Sequence, residues 1–226
     1  MAAVQHPPTA PAEQEPRPTV SYEEFLELAV GDIRAEWANG EVVILMPPSD
    51  KHQVVAGFLH AVMLLLVHAF DLGEVRIAPL AMRALPGGAV REPDILFVAA
   101  AHRDRLTAQR LDGPADLVVE IVSTESVVRD RDEKFFEYQE AGIPEYLLLD
   151  PRLGRERVDL YRLTDEGTYL AVLPDAEGRY HSVVLPGFWF HPAWFRQEPA
   201  PDPLTLLGQI APDALRRAVA ALDERR

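Results

Sequence analysis

The stretch Leu117-Val118-Val119-Glu120-Ile121-Val122 decides how this chain is read. Apart from Glu120 it is continuously apolar and mostly β-branched, the pattern of a strand covered on both faces. Glu120 interrupts it. A carboxylate taken out of water without a partner costs several kcal/mol, roughly, so it must be paired, protonated or bound to a metal. The plainer readings are a salt bridge to an arginine or a strand end facing solvent.

Two more apolar runs lie on either side. Ile95-Leu96-Phe97-Val98 opens directly after Pro93-Asp94, and Tyr146 to Leu149 is stopped by Asp150-Pro151. A Pro-Asp pair before a strand is often only a turn. Two carboxylates at the edges of adjacent buried strands, however, are what a hard divalent cation such as Mg²⁺ takes as ligands. Val127 to Ala141 is expected to be a helix, ended by Gly142 and Pro144. On it, Asp130, Lys134 and Tyr138 are spaced by four and share one stripe. That stripe borders the one bearing Val128 and Phe135, which predicts Lys134 at the rim of the buried face. The bland alternative is an Asp130–Lys134 surface pair worth about 0.3–0.5 kcal/mol.

Upstream, Ser21-Tyr22-Glu23-Glu24 has the capping-box form and starts a short helix. Ile33 to Met46 reads as a hairpin turning at Asn39-Gly40, with Glu36 in its first strand. Ser49 to about Phe70 is a deeply buried helix that begins near His52. Its most apolar part, Val54 to Val67, is too short and too polar at its ends to be expected to span a bilayer. Val75 to Leu85 alternates as one strand, and Arg103 to Asp112 reads as a short helix or loop. Downstream, Val158 to Phe195 reads as a β-meander. The predicted organisation is a disordered Pro-rich leader over 1–18, one domain over 19–195, and 196–226 as a Pro-rich linker with a C-terminal amphipathic helix from Pro212 to Leu222. The fold class is α/β (α+β), a mixed sheet flanked by helices.

Composition removes several function classes. The chain has no cysteine, which excludes thiolate zinc sites and cysteine nucleophiles and suits a reducing compartment. No basic segment followed by an apolar one opens the chain, so a cytoplasmic location is expected. A net charge of -14 argues against a standing DNA-binding regulator, because phosphate contacts need clustered Lys and Arg. It argues less against an enzyme that meets nucleic acid through metal ions. Ser123 lacks the Gly-x-Ser-x-Gly setting of a serine hydrolase, and no P-loop or Gly-x-Gly-x-x-Gly follows a strand.

Taken in order, Glu36…Gly40-Glu41, Pro47-Pro48-Ser49…His52, Pro93-Asp94, Val119 to Ser123, Asp130…Lys134…Tyr138 and Gly142 to Tyr146…Asp150-Pro151 resemble the Uma-two family. These are restriction endonucleases by description, of the PD-(D/E)XK superfamily, and the resemblance covers roughly residues 20–195. It implies a restriction-endonuclease-like core in which an aspartate and a glutamate bind Mg²⁺ and a lysine positions or activates water. Val122 stands where that lysine usually lies. The family moves it to the next helix, and Lys134 is the matching residue. Glu36 corresponds to a helper carboxylate. Ser123-Thr124 replaces the family's Ser-Pro and Tyr146-Leu147 its Tyr-Trp, while every matched ligand is present.

The function these readings predict is Mg²⁺- or Mn²⁺-dependent phosphodiester hydrolysis of nucleic acid, DNA in preference to RNA, by a homodimer with no membrane partner. Asp94, Glu120 and the Ile121 carbonyl would hold the metal, with Glu36 shaping a second site or orienting water and Lys134 stabilising charge. Asp130 and His52, with Tyr138 and Ser123, would hold Lys134 and Glu36 in place. The rivals are a catalytically inactive binding module on the same fold and, more distantly, a two-carboxylate glycosidase, which would carry more aromatic rings near the acids.

Overall fold

The computed structural model describes residues 19–28 and 34–223. The expected leader over 1–18 lies outside the described residues, as does Ile33 at the start of the first hairpin strand. The capping box forms as read: the Ser21 N–H donates to Glu24 Oε2 at 2.7 Å and the Glu24 N–H to Ser21 Oγ at 3.2 Å, opening α1 (Tyr22–Leu28). The hairpin β1 (Ala35–Ala38) and β2 (Glu41–Ile44) turns on Asn39 and Gly40. Both have positive φ, 52° and 84°, which the tight turn demands and which Asn and Gly adopt most readily.

Next comes α2 (Asp50–Phe70), N-capped by Ser49, whose Oγ accepts from the His52 N–H at 3.3 Å. It is longer than its most apolar stretch suggests, and by length and composition it could cross a bilayer. Here it is the core helix, with Val55, Leu59, Val62, Met63, Leu66 and Val67 buried in the main apolar cluster.

A six-stranded sheet follows, in the order β10-β9-β8-β7-β5-β3. It consists of β3 (Gly73–Ile77), β5 (Ile95–Ala99), β7 (Leu117–Ile121), β8 (Glu145–Asp150), β9 (Arg157–Leu163) and β10 (Tyr169–Val172), with β4 and β6 set apart. Within this sheet only the β7–β8 pair is parallel. Parallel neighbours need a crossover, and the helical segment between these strands supplies it over one sheet face. That segment is not the uniform helix expected. A π turn over Arg129–Glu133, closed by the Lys134 N–H onto the Arg129 carbonyl, precedes α3 (Lys134–Glu140).

The single strand expected over Val75 to Leu85 is two. β3 ends at Ile77, and β4 (Ala81–Arg83) leaves the main sheet to pair in parallel with β6 (Arg110–Asp112), inside the stretch read as helix or loop. Pro79 lies between them and has no N–H to continue the ladder. The meander ends in β11 (Tyr180–His181) and β12 (Trp189–Phe190), a separate pair.

Beyond it, the structure has two terminal helices where one was expected. α4 (Pro203–Ile210) is N-capped by Asp202, and α5 (Pro212–Asp223) follows. Leu206, Leu207 and Ile210 of α4 are buried in the same core as α2.

Candidate active site

Register and face explain where the acids fall. β5 pairs antiparallel with β7 through Ile95–Val119 and Leu96–Val118. One step beyond Ile95–Val119, Asp94 stands opposite Glu120. Leu96 and Val118 belong to the apolar cluster beneath α3, whereas Ile95 and Val119 belong to the one beneath α2. Strand alternation therefore turns Asp94 and Glu120 onto the α3 face together. Asp94 also touches this strand, its Oδ2 accepting the N–H of Ile121, the residue after Glu120, at 2.7 Å.

Glu36 reaches this place from the first hairpin. Trp37 and Val90 exchange backbone hydrogen bonds of 2.9 and 2.7 Å, and Arg91 and Met82 exchange bonds of 3.0 and 2.7 Å. The segment around Val90–Arg91 thus ties β1 to β4 and leaves Glu36 and Arg91 side by side, both buried.

Lys134 is the hub. Its Nζ lies 2.9 Å from Glu120 Oε1, 3.0 Å from Glu36 Oε1 and 3.3 Å from Asp130 Oδ1. It is buried, only 3% exposed, rather than at the rim, and Val128 of the neighbouring stripe is 64% exposed. The π turn adds a residue to one helical turn, so a uniform 3.6-residue reading misplaces side chains on its two sides. The surface-pair alternative fails with it, since the partners are buried carboxylates.

Other expected residues divide. Tyr138 donates its hydroxyl to Glu120 Oε1 at 2.7 Å. His52 Nε2 lies 2.9 Å from Asp94 Oδ1, so it supports Asp94 and not Glu36, because the start of α2 meets the start of β5. Its Nδ1 is buried without a partner among the described residues. Ser123 lines the cavity, but its hydroxyl closes a local turn with Ser126. Sequence reasoning missed Arg91, which grips Glu36 at 3.2 Å with one nitrogen and Glu137 at 2.7 and 2.6 Å with two others. Its only local signal was an arginine three residues before Asp94. Arg129 was missed as well.

Three carboxylates share one ammonium, and the consequences differ by residue. Burial pushes the Glu120 carboxyl up to about 8, with Lys134 pulling the other way and Asp130, Asp94 and Glu36 adding to the rise. Burial raises Asp130 too, again against Lys134. Burial would also raise Glu36, but Lys134, Arg91 and the Glu92 N–H outweigh it and hold Glu36 below its ordinary value. Lys134 would be lowered by burial, yet Glu120, Glu36 and Asp130 hold it well above its ordinary value. Lys134 therefore stays charged, and Glu120 is the group inclined to keep a proton.

All of these groups except Tyr138, Arg91 and Glu137 line one cavity of about 460 Å³. Among the described residues, no group of three or more His, Asp or Glu side chains is arranged to hold a metal ion. Mg²⁺ does not require such a cage, since it is usually bound through one or two carboxylates, waters and substrate phosphates. Asp94 and Glu120, both hard oxygen donors on one sheet face, fit that pattern. No protein donor reaches Glu120 Oε2 among the described residues, which leaves that oxygen for a ligand.

A mixed sheet flanked by helices, with buried acids and a lysine at the end of its central strands, defines a nuclease-like fold of the PD-(D/E)XK kind. The model of the Uma2 family, described as "Putative restriction endonuclease", matches residues 22–193, and the chain belongs to that family. Among solved structures, it is similar to a "putative nuclease belonging to DUF820" from Anabaena variabilis, with a TM-score of 0.62 at 17% identity, covering 76% of this chain and 95% of that one. At that identity the likeness speaks for the fold. A search of curated proteins finds no match.

Proposed function

We propose that this chain is a Mg²⁺- or Mn²⁺-dependent endonuclease that hydrolyses phosphodiester bonds, in DNA rather than RNA. The observation that carries the reading is the pairing of Asp94 with Glu120 on one face of adjacent strands, beside buried Lys134 and at a cavity. Asp94, Glu120 and the Ile121 carbonyl hold the ion. Once bound, it supplies Lewis-acid stabilisation of phosphoryl charge and makes water more acidic.

The chain's own residues do the rest. Lys134, kept protonated by its carboxylates, is no base; it is a fixed cation for charge developing on phosphate oxygens. Glu36 stays ionised, holds Lys134 and orients the attacking water. Tyr138 and Asp130 fix Glu120 and Lys134, and His52 fixes Asp94. Ser123 shapes the turn that walls the cavity. The catalytic unit spans 19–195, with 1–18 as a leader and 196–226 as an appended segment. It works in the cytoplasm, without a membrane partner, as a homodimer, because cutting both strands of a duplex calls for two sites.

A second reading, an inactive binding module on the same fold, draws support from Lys134 lying among the acids that would hold a metal. Single-turnover cleavage of plasmid DNA and RNA in Mg²⁺ and Mn²⁺ separates the two. The enzyme reading expects metal-dependent cutting that Glu120→Gln abolishes together with metal affinity. A wild type inert on every substrate would leave the binding module.

A further inference from the structure

Five basic side chains line the cavity, and four of them hydrogen-bond to carboxylates. Arg34 pairs with Glu92, Lys51 lies 2.9 Å from Glu198, Arg152 forks onto Asp150 at 2.8 and 2.7 Å, and Lys134 is held by Glu120 and Glu36. Arg129 differs. Its side chain is 17% exposed and its Nε lies 3.3 Å from Glu36 Oε2, without the alignment of a hydrogen bond. Among the described residues its guanidinium donates no hydrogen bond, and the Nε is buried without an acceptor.

Glu36 does not need it. One oxygen of Glu36 already takes the Glu92 N–H at 3.1 Å and faces Lys134, and the other takes Arg91. A buried donor without an acceptor is costly, and one kept in a native structure marks strain, a catalytic role, or an oxygen supplied by water, an ion or a ligand. The backbone is also unusual at this point, since Arg129 opens the π turn, a distortion that occurs often at functional sites.

We propose that Arg129 is a catalytic residue that contacts the phosphate, its guanidinium fork taking the non-bridging oxygens of the phosphodiester in the cavity. This deepens the endonuclease reading and rests on it. Arginine suits the task because its planar donors match phosphate oxygens two at a time, whereas Lys134 is committed to carboxylates. In a chain of net charge -14, a cavity cation that ion-pairs with Glu36 through Nε alone and donates no hydrogen bond among the described residues is where a polyanion finds local attraction.

Two measurements on a duplex oligonucleotide test it: affinity against salt with Ca²⁺ in place of Mg²⁺, and single-turnover cleavage in Mg²⁺. Arg129→Ala should weaken binding about tenfold, flatten the salt slope by about one, and slow cleavage about 10²–10³-fold. Arg129→Lys should keep the slope and still cut slowly, because it keeps the charge and loses the fork. If Arg129→Ala leaves either slope or rate at the wild-type value while the wild type cuts, the proposal falls and the endonuclease reading stands. A wild type that binds with an Arg129-dependent slope and never cuts retires the endonuclease reading, leaving Arg129 a phosphate contact without catalysis. Neither binding nor cutting overturns both. Should Arg129→Ala fail to fold, Arg129→Lys decides alone, and a wild-type rate overturns the proposal.

Discussion

On one face of the central sheet, Ile95, Phe97, Val119 and Leu147 meet α2 and α4 in a wholly apolar layer. On the other, one residue along each strand, Leu96, Val118, Glu120 and Tyr146 meet the helix that carries Lys134. This second layer begins apolar, passes through a cluster of tyrosines, and ends in three buried carboxylates around Lys134. The two layers share their strands, so their difference is one of alternation and of what covers them. The α2 layer gains its stability from area and shape. The α3 layer gives up some of that gain to hold like charges together, and this makes it responsive to pH, metal and ligand.

The largest expected effect comes from breaking the charged layer. Lys134→Ala removes the cation shared by Glu36, Glu120 and Asp130, and should cost about 3–5 kcal/mol at neutral pH without metal, as when one partner of a buried pair is lost. Part of the loss should return at pH 5, where the stranded carboxylates protonate, or with millimolar Mg²⁺. Urea unfolding at both pH values measures it. A cost of only a few tenths of a kcal/mol would mean the buried hub does not exist.

On the apolar face, Leu66→Ala should cost about 2–5 kcal/mol through lost contacts and a cavity. Unlike Lys134→Ala, that cost should not shrink at pH 5 or with Mg²⁺, and cleavage per folded molecule should be unchanged. Equal pH sensitivity in the two variants would erase the contrast between the faces.

The smallest effect, taken per pH unit, is carried by the unaltered chain. Glu120 has a folded pKa of about 8 against an ordinary 4.5, so between those values the folded state binds more protons than the unfolded. Stability from this group is therefore fully present below about pH 4.5 and lost as pH rises towards 8, by at most about 1.4 kcal/mol per pH unit for one proton. Glu36, held low, acts oppositely: its contribution is present above its unfolded value and lost as pH falls. Melting temperature should decline from pH 5 to 8 without metal, and added Mg²⁺ should flatten the decline. A profile indifferent to Mg²⁺ would show that the ion does not bind at these carboxylates.

Local sequence determined much of this protein. Ser21 with Glu24, Asn39 with Gly40, and Ser49 before α2 each act within a few residues, and each does in the structure what its chemistry dictates. The apolar runs around Asp94 and Glu120 likewise announced buried strands with acids set into them. Tertiary structure decided the rest. Nothing local told Lys134 apart from a surface lysine; its burial follows from Glu36, 98 residues away in sequence, arriving on the hairpin that the Arg91 segment ties down. The π turn, the departure of β4 from the main sheet and the docking of α4 on α2 depend in the same way on distant partners. Periodicity reports which side of an element is apolar. Which charges meet there is set by chain closure over long separations, and no short window of sequence contains that information.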